Sequence, residues 1–249
     1  MPTKILIASP TYDGSVRVEY MRALFQTTDY FNKAGIGWDM VVESSTVLHI
    51  MRSVMATKAV LESDFTHLLF IDTDMGFSAS IVQRMVEADK ALIAAIYPYR
   101  AFPLHEVVEE AGKTLRQLIS EKAPYAVRFA PDTTNITITG GICEVDTIGT
   151  GLMLIKTDAL RTMIDKAGIE KFANHFPYDQ WLKNPFYYAF FDHIIENGMY
   201  LGEDYSFCRR WQRHMGEPIH AICDTEIMHV GNLPVIGNFM DKLRTGKLI

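Results

Sequence analysis

Two aspartates spaced i, i+2, Asp72 and Asp74, flank Thr73 directly after the apolar run Leu-Leu-Phe-Ile at residues 68–71. An unbroken apolar run of this kind is the pattern of a strand buried on both faces, as in the middle of a parallel sheet. Ligands of such open sheets bind outside the carboxyl ends of the strands, so both carboxylates would stand at the ligand edge. Paired carboxylates there suit a hard divalent cation, Mg²⁺ or Mn²⁺, that also takes phosphate oxygens. The plainer alternative is a polar loop, since Asp-x-Asp is common, and the strand-end placement is what raises the motif above it.

Further groups fall on the same edge. Ser9-Pro10-Thr11-Tyr12 follows the first apolar run, so its backbone and hydroxyls could face a nucleotide and Tyr12 could stack on a base; otherwise it is a plain strand-to-helix turn. Glu43 closes a second strand, placed to accept hydrogen bonds from a ribose or base, or else to face solvent. Arg52, early in a second helix, suits phosphate or carboxylate, or a place on the surface. In Gly202-Glu203-Asp204 chemistry competes with capping, because Asp favours the N-cap and Glu the first helical turn. His229, in Met-His-Val-Gly-Asn, reads as a loop histidine that either binds metal or is simply exposed.

The elements that must position these groups alternate. Residues 4–8 (KILIA), 38–43 (WDMVVE), 67–72 (HLLFID) and 92–96 read as strands. Between them, residues 16–34, 49–61 and 78–90 carry apolar residues at helical spacing, the first ended by Gly35 and the last capped by Ser78. This alternation predicts an α/β fold with an open, mostly parallel central sheet flanked by helices. Beyond Arg100 the pattern changes. Residues 104–123 are weakly helical, and 125–129, 136–139 and 142–146 read as short, partly antiparallel strands. Gly149-Thr150-Gly151 turns into a strand at 152–156, followed by a helix to Ala167. An aromatic, irregular segment spans 172–193; Trp181, Tyr187, Tyr188 and Phe191 within it could stack on a second substrate or pack as a sub-core. A helix at 204–214, a strand at 218–223 and the loop with His229 close the pattern.

Composition sets bounds. With 249 residues, 48% apolar and 22% charged, the chain suits a globular fold with a core of normal size. No apolar stretch approaches the ~18–20 residues needed to cross a bilayer. Three cysteines, Cys143, Cys208 and Cys223, are odd in number and lack metal spacing, which suggests reduced thiols and a cytoplasmic location. A net charge of −6 argues against a protein whose main work is gripping nucleic acid. The richest basic stretch, Arg209, Arg210, Arg213 and His214, reads as a solvated helix face.

Taken in order, the motifs resemble the GT-A glycosyltransferases, and among them the family 2-like enzymes of bacteria and large phages. The matching pieces are Ser9 to Tyr12, Glu43, Arg52, Phe70 to Asp74, Tyr97 to Arg100, Gly149 to Gly151, Gly202 to Asp204 with Arg210-Trp211, and His229. The resemblance implies one GT-A domain over 1–249, with residues 1–100 as the nucleotide-binding half and 101–249 as the acceptor-binding and catalytic half. It implies that Pro10, Thr11, Tyr12, Glu43, Arg52 and Thr73 line the donor pocket. Asp72 would touch the ribose or the metal, and Asp74 and His229 would hold Mn²⁺ or Mg²⁺. Asp204 resembles the family's base, with Glu203 beside it and with Arg100 and Gly151 near the transferred sugar. Departures include Asp13 where many relatives carry Asn. Arg210-Trp211 directly follows the Glu-Asp helix start, without a separate Gln-x-x-Arg-Trp motif, and no membrane helices follow. Both points favour single-sugar transfer over processive synthesis.

The expected chemistry is therefore inverting transfer of a sugar from a nucleotide-diphosphate donor to an acceptor hydroxyl. A glycan, a lipid-linked saccharide, a small molecule and a modified DNA base all remain open as acceptors, and so does the oligomeric state. Two rivals stay beside it. A nucleotidyltransferase acting on sugar phosphates would carry a Gly-rich, basic phosphate loop, whereas this loop has Gly14 and Arg17 alone. A non-catalytic sugar- or nucleotide-binding module would have no use for Asp72, Asp74, Glu203, Asp204 and His229 together.

Overall fold

The computed structural model describes residues 2–62, 64–100, 112–174, 184–231 and 234–246. Its first part runs β1 (Lys4–Thr11), α1 (Val18–Ala34), β2 (Gly37–Ser44), α2 (Leu48–Leu61), β3 (His67–Ile71), β4 (Met75–Gly76), α3 (Ala79–Glu87) and β5 (Leu92–Ala95). There follow α4 (Leu115–Lys122), β6 (Val127–Arg128), β7 (Ile142–Val145), β8 (Thr147–Ile148), β9 (Leu152–Lys156) and α5 (Thr157–Ala167). The remainder is β10 (Lys171–Ala173), β11 (Phe186–Tyr188), β12 (Ile194–Glu196), β13 (Met199–Leu201), α6 (Glu203–His214), β14 (Ile219–Ile222), β15 (Glu226–Val230), β16 (Pro234–Asn238) and α7 (Phe239–Arg244).

Seven strands form the central sheet in the order β2-β1-β3-β9-β5-β14-β7. Strands β2, β1 and β3 are parallel neighbours, as are β5 and β14, while β9 and β7 run antiparallel to theirs. The sheet is thus mostly parallel, with small antiparallel sheets beside it. Alternation along the inner strands divides two cores. Leu6, Ala8, Leu68 and Phe70 face α2, α5 and α6 through Met51, Met55, Leu160, Met163, Phe207 and Trp211. Ile5, Ile7, Leu69 and Ile71 face α1 and α3 through Tyr20, Leu24, Phe31, Ile81 and Met85. Being apolar on both faces is what seats β3 inside the sheet.

Local signals agree with the elements they predict. Gly35 ends α1 in the left-handed region at φ 68°, and the Ser78 side chain caps α3 by accepting from the Ser80 N–H. Several expectations are corrected. The fourth expected strand is present as β5, but β9, read only as a later strand, lies between it and β3 in the sheet. The strand expected at 136–139 reduces to one bridge, Thr139 to Ile142, and that at 125–129 shrinks to β6. Of the weak helix expected at 104–123, α4 is described, held by a capping box between Thr114 and Gln117, while residues 101–111 lie outside the described residues. His229 lies in β15 rather than in a loop. Among the described residues, no helix is long and apolar enough to cross a membrane.

Candidate active site

Four turns at the carboxyl edge of the sheet build the site. After β1, the chain is tied down by Thr11, whose hydroxyl donates to the Ser15 carbonyl at 2.9 Å and accepts from the Gly14 N–H at 3.2 Å. Tyr12 is left 74% exposed, its ring free to stack. The turn after β3 is fixed from two sides: the Asp72 N–H donates to the Gly151 carbonyl at 2.9 Å, and the Arg17 N–H donates to the Thr73 carbonyl at 2.9 Å. Between these turns opens a cavity of about 430 Å³, walled by Pro10, Thr11, Tyr12, Arg52, Asp72, Thr73, Asp74 and Arg100, with Ser45, Thr46 and Leu48 after β2 and Arg17 and Val230. Most of the expected donor-pocket residues thus meet in one place. Glu43 is not in this wall. It pairs with Pro10 across the β1–β2 ladder, and burial pushes its carboxyl up. The strand end is where a ribose acceptor was expected, but Ser45 and Thr46, one turn on, face the cavity instead.

Asp74 and His229 meet because β4, the strand just after Asp74, pairs with β15. His229 stands opposite Met75, and the Val230 N–H donates to the Asp74 carbonyl at 2.8 Å. His229 is 8% exposed. Its Nδ1 lies 2.8 Å from the Pro98 carbonyl, which can only accept, so Nδ1 carries the proton. Its Nε2 then faces Asp74 Oδ1 at 3.4 Å. Either Nε2 carries a second proton, or two lone pairs converge where a cation fits. Arg100 Nη1 donates to the other Asp74 oxygen at 2.9 Å from a side chain 60% exposed, as a displaceable partner would. Burial alone would raise the Asp74 carboxyl; with Nε2 protonated, hydrogen bonding and charge from His229, then Arg100, outweigh it and hold the carboxyl below its ordinary value, and a cation between the two would take the place of that proton.

The three-ligand set Asp72, Asp74 and His229 is not assembled. Among the described residues, no three His, Cys, Asp or Glu side chains gather as a metal cage. Asp72 turns instead to Arg52, whose Nη2 donates to Asp72 Oδ1 at 2.8 Å. A cation between Asp74 and His229 would thus draw its remaining ligands from substrate oxygens or water, which suits Mg²⁺ and Mn²⁺.

Arg52 is 2% exposed, and its Nε lies 3.7 Å from Glu203 Oε1. Burial works to lower its pKa, but Asp72 and Glu203 outweigh it, and the guanidinium is held above its ordinary value. Its Nε and Nη1 have no hydrogen-bond partner among the described residues, and each buried orphan donor costs about 1–3 kcal/mol. Glu203 and Asp204 open α6, whose N-cap is Gly202 with no side-chain cap. Asp204 Oδ1 accepts from the next residue's N–H, that of Tyr205, at 2.7 Å. Asp204 is therefore not the helix cap. Nor does the helix dipole hold it ionised, as its position suggests. Burial, then repulsion from Glu203, pushes its carboxyl up to about 6, with Arg52 pulling the other way. Neither residue lines the cavity; Glu203 adjoins it through Arg52, and Asp204 follows Glu203 in the first turn of α6.

Gly151 serves as backing. Its N–H donates to the Tyr97 hydroxyl at 3.1 Å, and a β-carbon there would lie 2.8 Å from Tyr97 Cζ. The phenol is raised well above its ordinary value by burial first, then by the nearby charges of Asp72 and Asp204, so it stays protonated between them. Two of the four aromatic side chains at 172–193 take the packing alternative. Phe191 is fully buried, stacked on Phe207 at 4.6 Å, and Tyr187 is buried too; Trp181 lies outside the described residues. The basic stretch on α6 is a solvated face only in part: Arg213 and His214 are exposed, while Arg209 and Arg213 pair with Glu196 and Arg210 bonds the Asp192 carbonyl. Beside Asp204, sequence reasoning missed a different group. The hydroxyls of Tyr205 and Tyr99 lie 3.0 Å apart, and Arg128 stacks on the Tyr205 ring at 4.7 Å. The position of Tyr205 next to Asp204 was the available signal.

No family profile and no curated protein matches the sequence. Among solved structures, the chain is similar to A197 from STIV, at 17% identity and a TM-score of 0.48 over 92% of this chain and 86% of that one. It is also similar to a glycosyltransferase involved in glycosylation of the major capsid of PBCV-1, at 15% identity and a TM-score of 0.34 over 72% of each chain. A third similarity is to a proposed glucose-1-phosphate thymidylyltransferase from Bacillus anthracis, at 8% identity and a TM-score of 0.30 over 66% and 74%. Likenesses at this level say nothing about substrate.

Proposed function

We propose that this chain is a glycosyltransferase that moves one sugar from a nucleotide-diphosphate donor to an acceptor hydroxyl, with a divalent cation and with inversion. The observation that carries this reading is the pairing of Asp74 Oδ1 with His229 Nε2 across 3.4 Å in the wall of an open cavity, with the His229 Nδ1 proton committed to Pro98. Mn²⁺ or Mg²⁺ held there would supply Lewis acidity toward a departing diphosphate. Tyr12 stacks on the base, the turn after β1 and the Ser45-Thr46 turn receive the nucleoside, and Arg100 exchanges Asp74 for a phosphate or sugar oxygen. Asp204, poised near 6, takes the acceptor proton as the acceptor oxygen attacks the anomeric carbon from the opposite face. An acidic group with this pKa is mostly ionised at neutral pH yet basic enough to receive a proton.

The test is a screen of UDP-, GDP-, dTDP- and CMP-sugars with the purified chain, with and without Mn²⁺. Thermal stabilisation by a UDP-, GDP- or dTDP-sugar and release of its nucleoside diphosphate are expected, with the CMP-sugar, which can release only a monophosphate, as the contrast. Release of pyrophosphate from a nucleoside triphosphate and a sugar phosphate would assign the chain as a nucleotidyltransferase instead. Binding without turnover across donors and acceptors would make it a binding module.

A further inference from the structure

Arg52 connects the nucleotide cavity to α6 through a charge that is only half satisfied. Three separate elements meet on it: its own α2, the turn after β3 through Asp72, and the first residue of α6, Glu203. The Asp72 bond at 2.8 Å is made, while the Glu203 oxygen at 3.7 Å from Nε stands just outside hydrogen-bond range. Among the described residues Nε and Nη1 are buried without partners, and the side chain, 2% exposed, also forms part of the cavity wall. An arginine fork can hold two carboxylates on two edges at once. Here one edge is engaged and the other is not.

We propose that Arg52 is a positioning residue that couples filling of the nucleotide cavity to the Glu203–Asp204 pair by sharing its guanidinium between Asp72 and Glu203. The proposal rests on the glycosyltransferase reading above. A donor that engages Asp72 weakens the claim of that carboxylate on Arg52. The guanidinium then draws Glu203 in by less than 1 Å, about what separates 3.7 Å from a good hydrogen bond, which satisfies Nε and sets the first turn of α6. Asp204 follows Glu203 in that turn, so the base reaches its working position with the donor in place. Coupling is reciprocal: if the nucleotide tightens the Arg52–Glu203 contact, Glu203 must strengthen nucleotide binding although it lies outside the cavity wall.

The test measures binding of UDP, GDP, dTDP and CMP, each with Mn²⁺, by calorimetry to the full chain, to Glu203→Gln, to Arg52→Lys and to the double variant. In the Arg52 background, Glu203→Gln should weaken the best-bound nucleotide by about 5–10-fold. In the Arg52→Lys background the same change should cost under about twofold, because a single ammonium cannot span both carboxylates. Coupling predicts that Glu203→Gln shrinks the nucleotide-dependent rise in Tm, whereas a merely structural Glu203 would shift the Tm without nucleotide and leave that rise intact. Equal losses in both backgrounds, or an affinity of Glu203→Gln within about twofold of wild type, would overturn the relay. The second outcome decides even if Arg52→Lys does not fold. A wild-type chain that binds none of the four nucleotides overturns the glycosyltransferase reading and the relay together, whereas binding with additive variants overturns the relay alone.

Discussion

Asp204→Asn removes a charge from a buried site and leaves the shape of the side chain almost unchanged, so it separates chemistry from stability. The Asp204 carboxyl moves from an ordinary value of 3.8 to about 6 on folding. At 1.36 kcal/mol per unit, that is about 3 kcal/mol of differential interaction, and partial contact with solvent reduces it to about 2 kcal/mol. The sign follows from proton uptake. Between pH 4 and 6 the folded chain binds more protons at this site than the unfolded chain, so its stability falls as pH rises through that window. Above it, ionised Asp204 costs the fold that full amount, and asparagine relieves it. Because Gly202, not Asp204, is the N-cap, the exchange loses no capping bond.

Asp204→Asn should therefore melt about 4–8 °C above wild type at pH 7.5, at about 2–4 °C per kcal/mol for a chain of this size. At pH 4, where both side chains are mostly neutral, the two melting curves should nearly coincide. Transfer at pH 7.5 should fall about 10²–10⁴-fold, with nucleotide affinity near wild type. Calorimetric melts at the two pH values and a product assay supply the three readings. A variant less stable than wild type at pH 7.5 would refute the burial argument. Near-wild-type transfer would remove Asp204 as the base, and retention of anomeric configuration by NMR would exclude direct displacement.

The remaining expectations are briefer. The pH profile of wild-type transfer should climb through an acid limb near 6 and level above it, because the base must be unprotonated; a flat profile from pH 5 to 8 would point to another base. Asp74→Asn should lose the Mn²⁺-dependent rise in Tm and most transfer, as EDTA should for wild type; full activity of the variant in EDTA would end the metal assignment. Tyr12→Ala, at a side chain 74% exposed, should leave Tm unchanged while weakening nucleotide binding by about 1–3 kcal/mol of lost stacking. Gly151→Ala, whose methyl would press on the Tyr97 ring, should cost about 1–3 kcal/mol of stability by urea unfolding, and a neutral effect would show that Tyr97 can yield.

Much of the fold could be read from period and punctuation. Residues 68–71 are apolar without a break because alternate side chains enter two different cores, and that pattern alone places β3 inside a sheet. Gly35 and Ser78 mark helix ends by local chemistry that tertiary contacts leave intact. Strand order has no such local mark. β9 inserts antiparallel between β3 and β5, and its sequence, Leu-Met-Leu-Ile-Lys, is as apolar as a parallel strand because it too is buried on both faces. Apolar runs report burial and do not report direction. Residues 136–139 alternate as a strand would yet find no partner beyond one bridge, since pairing is a property of two segments.

The site divides along the same line. Asp72, Asp74 and the turn after β1 were legible because a strand end fixes where its next residues stand. His229 was legible as a candidate metal ligand but was placed wrongly. Nothing in Met-His-Val-Gly-Asn shows that this segment pairs with Met75 and Gly76, and it is that two-residue ladder that turns an apparently exposed imidazole into a buried one facing Asp74. The force acting on the Asp204 carboxyl was hidden for a related reason. The helix dipole, visible in sequence, contributes about 0.3–1 kcal/mol toward the ionised form at an exposed helix end. Burial beside Glu203, visible only in three dimensions, is the larger effect and acts the other way. The two readings give opposite signs for the stability of Asp204→Asn at neutral pH. A dipole-held carboxylate would lose stability on becoming asparagine, whereas a buried and repelled one gains it, so a single melting temperature decides which force governs Asp204.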